Sequence, residues 1–141
     1  MRVMHDTNVI ISAGLYGGGT LSRTTFKIAE KYSLVLSSIV IDELRMVMEE
    51  KFPDKVSTMD CFLQKLSYEV SYTPTNINND VFPKIRDKKD YPVLASAIIA
   101  DVDVFITGDK DFNVLDIDRP EILTISDFFV LKEHFGRIRL N

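Results

Sequence analysis

The stretch Phe105-Ile106-Thr107-Gly108-Asp109-Lys110-Asp111-Phe112 decides how this chain folds. An apolar run from Val102 to Ile106, interrupted by one aspartate, stops at Thr-Gly, and two aspartates follow at a spacing of two. A buried strand that ends in glycine and then offers carboxylates is how an open α/β sheet presents a site at its carboxyl edge. The start of the chain makes the same offer: Val3-Met4-His5 runs into Asp6-Thr7-Asn8, and the apolar Val9-Ile10-Ile11 follows. Two strand ends so far apart in sequence meet only if both strands lie in one sheet.

The intervening chain supplies the means. After the first strand, Arg2–His5, a short helix is expected to end near Gly14, and Gly17–Gly19 reads as a turn, since no Lys-Ser/Thr follows as a phosphate-cradling loop needs. Leu21–Lys31 has Phe26, Ile28 and Ala29 at helical spacing, and Leu34–Leu36 reads as a buried strand. Ser37 or Ser38 then caps a helix whose apolar face is Ile39, Val40, Leu44, Val47 and Met48, ended by Pro53. Asp54–Tyr68 reads as another amphipathic helix, with its single Cys61 taken as a small core residue, and Val70–Tyr72 as a weak strand. Thr73–Asp80 is a loop and Lys84–Asp90 a charge run. Val93–Ala100 is a small-residue helix, Glu121–Thr124 a last strand, and Ser126 the expected cap of a terminal helix carrying Phe128, Phe129, Leu131 and Phe135. Alternating strands and helices predict a parallel α/β sheet.

The chain has 141 residues, 45% hydrophobic and 27% charged, a mix that suits one domain over 1–141. A net charge of −4 argues against gripping nucleic acid through global basicity, but leaves room for a nuclease whose carboxylates gather to hold metal. One cysteine precludes an intrachain disulfide. No stretch reads as a membrane span, signal peptide or lipidation motif, so the expected location is the cytoplasm.

Six acids occupy special places: Asp6 after the first strand, Glu43 early in the helix after the second, Asp87 and Asp90 before a buried helix, and Asp109 and Asp111 after a strand. Alone, Asp6 is a turn residue, Asp90 a cap, Glu43 a surface acid and Asp109 and Asp111 turn residues; the joint placement carries the signal. In a parallel sheet, strand ends and helix starts share one edge, and so many carboxylates cannot stay ionised together without a counter-charge. Oxygen ligands without cysteine or histidine select Mg²⁺ or Mn²⁺, and such a site activates water for displacement at phosphorus. Thr107 and Asn8 could orient ligands or water, or equally make ordinary turn hydrogen bonds. Arg23, Arg86, Lys88 and Lys89 are candidates for phosphate contact. His5 should point to the far sheet face and His134 to solvent, so neither is given a role.

The segments DTNVIISAGL (6–15), SSIVIDEL (37–44) and DYPVLASAIIADVDVFITGDKDF (90–112), with their spacing, resemble the PIN domain, in particular the bacterial and archaeal branch of toxins from toxin–antitoxin pairs. The resemblance implies a Rossmann-like fold, a parallel sheet of about five strands flanked by helices. It also implies a Mg²⁺- or Mn²⁺-dependent endoribonuclease acting on single-stranded RNA, an antitoxin protein as partner, and homodimers. The family's four acids match Asp6, Glu43, Asp90 and Asp109, with Asp111 contributing and Asp87 an additional acid of this branch. Two rivals stand beside this reading. A haloacid-dehalogenase-type phosphatase also begins with an aspartate after its first strand, but needs a second acid two residues on, where this chain has Asn8. A PIN-like module that binds RNA or protein without catalysis is the other, against which the intact acids argue.

Overall fold

Five short parallel strands build one sheet: β1 (Arg2–His5), β2 (Ser33–Ser37), β3 (Glu69–Ser71), β4 (Val104–Ile106) and β5 (Glu121–Leu123), in the order β3-β2-β1-β4-β5. The computed structural model describes residues 1–74, 91–114 and 117–133. β1 and β4, the strands that end in acidic motifs, are therefore neighbours, pairing Met4 with Phe105 and His5 with Ile106. From β1 the chain moves one way to β2 and β3, then returns to the other side for β4 and β5. That reversal is a topological switch point, and in open parallel sheets it opens a crevice at the carboxyl ends of the strands.

Helices cover both faces. They are α1 (Thr7–Leu15), α2 (Thr20–Lys31), α3 (Ser38–Lys51), α4 (Val56–Lys65, after a 3₁₀ turn at Pro53–Lys55), α5 (Tyr91–Ile99) and α6 (Ile125–Phe128), which widens into a π-type turn at Phe129–Glu133. Side chains alternate along each strand, and the core divides accordingly. Val3, Leu34, Leu36, Val104, Ile106 and Leu123 face a cluster with Ile10 and Ala13 of α1, Ile28 of α2, Leu44 of α3 and Met59 and Phe62 of α4. Met4, Val35 and Phe105 face the other cluster, with Leu94 and Ala97 of α5. Contact between α1 and α4 is close because residue 14 is glycine: a Cβ there would come within 2.6 Å of the Met59 thioether.

Three local expectations are corrected. Cys61 is exposed, because Met59 and Phe62 turn α4 inward and Cys61 lies on the opposite side of the helix. α4 begins at Val56 and ends at Lys65, a shorter span than the apolar periodicity over Asp54–Tyr68 indicates. Thr124, not Ser126, caps α6, its hydroxyl accepting from the Asp127 amide at 3.1 Å. Phe128 of that helix is wholly buried and stacks edge-on against Tyr32, so it belongs to the core, while Phe129, Val130 and Leu131 are exposed. Among the described residues no helix is long and apolar enough to cross a membrane.

Candidate functional site

The two strand ends are locked together before any side chain is considered. The Asp6 amide donates to the Ile106 carbonyl at 2.8 Å and the Thr107 amide to the Leu123 carbonyl at 3.0 Å, so each ladder runs one residue past its strand. Asp6 also caps α1: its Oδ1 accepts from the Thr7 amide at 2.8 Å. Its Oδ2 accepts from the Thr107 hydroxyl, also at 2.8 Å, across 101 residues of sequence. Thr107 Oγ1 in turn accepts from the Asp109 amide at 3.0 Å, and Asp109 Oδ1 accepts from the Asp111 amide at 2.9 Å. One chain of hydrogen bonds thus runs from the end of β1 through the whole TGDKD turn. Phe112 anchors the far side of that turn, buried and edge-on to Phe105 at 5.4 Å between ring centroids.

Glu43 enters from α3, whose start is fixed by the Ser37 hydroxyl accepting from the Val40 amide at 3.1 Å. Burial pushes the Asp6 carboxyl above its ordinary range, the Thr107 and Thr7 donors oppose this, and the charge of Asp109 adds to it. Glu43, half-buried, is raised first by burial and then by the charge of Asp6. The buried Thr7 hydroxyl faces Glu43 and favours its charged form without closing a well-formed hydrogen bond. Thr7 was not singled out in the sequence; its place at the first turn of α1, directly after the capping acid, is the signal that marks it.

The structure therefore brings Asp6, Glu43 and Asp109 into electrostatic contact and puts Asp111, half-buried, on the same turn. Among the described residues no three His, Cys, Asp or Glu side chains are gathered tightly enough to hold an ion by themselves. Asp87, Asp90, Arg86, Lys88, Lys89, His134 and Phe135 lie outside the described residues. Thr107 takes the orienting position between the acids, whereas Asn8 is exposed beside it. Arg23 is exposed, its guanidinium donating to the Gly18 carbonyl at 3.0 Å. His5 points away from the acids, with Nε2 at 3.2 Å from the Thr25 hydroxyl; burial lowers its pKa to about 4.

The PIN-domain family model matches residues 2–111, which include every acid named above. The chain belongs to the PIN-domain family. Its fold is similar to the structure of VapBC2 from Rickettsia felis bound to a DNA fragment from their promoter, with a TM-score of 0.63 and 19% identity over 87% of this chain and 97% of that one. No curated protein matches the sequence. In this PIN domain Asp6 and Asp109 follow the neighbouring strands β1 and β4 at the switch point. A separate groove between α3 and α4, about 120 Å³ and lined by Leu44, Met48, Met59 and Leu63, includes none of them.

Proposed function

We propose that residues 1–141 act as a single PIN domain that hydrolyses phosphodiesters of single-stranded RNA with a bound Mg²⁺ or Mn²⁺. The reading is carried by one observation: in a PIN-family chain, the Asp6–Thr107–Asp109 hydrogen-bond chain sits at the sheet's switch point. The donor set suits a hard cation. Every candidate is an oxygen, and Asp6 and Glu43 are raised by burial for want of a counter-charge. Mg²⁺ keeps several waters and takes only one or two carboxylates, so a cage of three acids is not required. Of Asp6, Asp90 and Asp109, one or two would hold the ion directly, and the other acids, Glu43, Asp111 and Asp87 among them, would reach it through the waters it keeps. When bound, such an ion makes water more acidic and offsets phosphate charge.

The chain's own groups do the rest. Thr7 and Thr107 hold both oxygens of Asp6, so its carboxylate cannot swing out of the crevice. Glu43, brought from α3 to act on Asp6, is the proposed acceptor of the attacking water's proton. Arg23, Arg86, Lys88 and Lys89 are the proposed phosphate contacts. The resemblance of the acid-bearing segments to toxin PIN domains supports a toxin role, with an antitoxin protein as partner, in the cytoplasm, and the fold shared with VapBC2 agrees with it. The exposed Phe129, Val130 and Leu131 support a homodimer. Cleavage of labelled single-stranded RNA with Mn²⁺, and none with a chelator, is the expected result; no cleavage under either condition overturns the proposal.

A further inference from the structure

A hollow of about 260 Å³ opens beside the acids, between the first turns of α1 and α2 and the ends of β4 and β5. Its apolar walls are Val9, Leu21 and Ile125, and its polar ones include Asn8, Thr107 and Thr124. Among the described residues no charged side chain lines it, although Asp6 and Asp109 are next door. We propose that this hollow seats the nucleobase of the nucleotide flanking the scissile phosphate of single-stranded RNA, an inference that rests on the nuclease reading above.

Three features select that occupant. The volume lies just below the range of about 300–1,000 Å³ typical of pockets for larger ligands, which suits one base. A lining whose described side chains are all uncharged, beside the carboxylates of Asp6 and Asp109, disfavours a phosphate and accepts an uncharged ring, whose faces pack on the carbon of Val9, Leu21 and Ile125. Asn8, exposed at the rim, offers both a donor and an acceptor to a base edge. Thr107 is the shared wall: the residue lines the hollow and its hydroxyl donates to Asp6 Oδ2, so a base seated there lies beside the acids.

Gly108 supplies the test, because a Cβ at this position meets no atom within 4 Å and added bulk enters open space. The probes are adenosine, guanosine, cytidine and uridine, which carry no phosphate and need neither metal nor turnover. At least one should shift the methyl resonances of Val9, Leu21 and Ile125 in the wild-type protein. Gly108→Leu should weaken that binding about tenfold and raise the KM for RNA similarly. Asn8→Ala, at an exposed position, should reduce discrimination among the four nucleosides. Unmoved methyls, equal binding by wild type and Gly108→Leu, or methyl shifts that follow protein concentration instead of nucleoside all overturn the subsite. A wild-type protein that binds nucleosides there yet cleaves no RNA overturns the nuclease reading instead.

Discussion

At the amino edge of the sheet, Asp103 accepts from the Arg2 amide at 2.7 Å and from the Arg119 guanidinium at 2.8 Å, Arg119 also reaches Asp101 at 3.2 Å, and Arg2 pairs with Glu69 at 2.7 Å. At the carboxyl edge, among the described residues, Asp6 receives only neutral donors and no lysine or arginine pairs with Asp6, Glu43 or Asp109. The proton affinities follow. The Arg2 amide, and then Arg119, hold Asp103 below the ordinary carboxylate range, while burial holds Asp6 and Glu43 above it. Both edges belong to the same sheet and both use aspartates just outside strands. One set pairs with Arg2 and Arg119; the other, among the described residues, has no cationic partner.

The largest effect expected from this contrast is on catalysis. Asp6→Asn or Asp109→Asn keeps the size of the side chain but removes a charge, and should cut RNA cleavage about a hundredfold or more. Melting of the metal-free protein should stay level or rise, since a repulsive carboxylate is gone. Wild-type cleavage rates in both variants would remove these acids from the active site.

A pH titration in chelator separates the carboxyl edge from the core behind it. Because the His5 pKa falls from 6.5 to about 4, folding favours the neutral ring. Its contribution is whole above pH 6.5 and is lost as pH drops toward 4, on the order of 3 kcal/mol in all. Asp6 and Glu43, raised instead, have the opposite sign and gain stability as pH falls. The difference between wild type and His5→Gln, followed by urea denaturation, isolates the histidine; parallel curves across that window would contradict its buried neutral state.

Divalent metal comes next. An ion that binds only the folded state adds about 2.7 kcal/mol at a hundredfold excess over its Kd. Mn²⁺ should therefore raise the melting temperature of the wild type and of Asp103→Asn, but much less that of Asp6→Asn, whereas Na⁺ of equal ionic strength should not. Equal responses to Mn²⁺ and Na⁺ would argue against a preformed ion site.

The smallest effect belongs to the amino edge. Asp103→Asn weakens a partly exposed pair and one amide bond, costing about 1 kcal/mol of stability, and RNA cleavage should not change. A loss of cleavage matching that of Asp6→Asn would erase the distinction between the two edges.

Much of this arrangement follows from local pattern. The apolar runs before Asp6 and before Thr107-Gly108, the Ser37 cap and the Pro53 stop each act within a few residues, so spacing alone exposes them. Shared polarity then implies that β1 and β4 end at one edge, which brings Asp6 and Asp109 together. The inward or outward sense of single residues is less visible where two readings compete locally. Cys61 fits an amphipathic helix, and its exposure depends on which face of α4 meets Gly14 of α1. Ser126 and Thr124 are both capable caps, and the choice rests on where β5 stops.

Residue order and hydrophobic spacing were enough for the strands and most helices, because those properties are short-range. The bond from Thr107 to Asp6, the burial that raises Asp6 and Glu43, the complete interment of Phe128 and the hollow beside Gly108 came only with the folded chain. Each depends on distance and solvent exclusion between segments that share no local sequence, and those are set when β1, β4 and β5 align and the helices close over them.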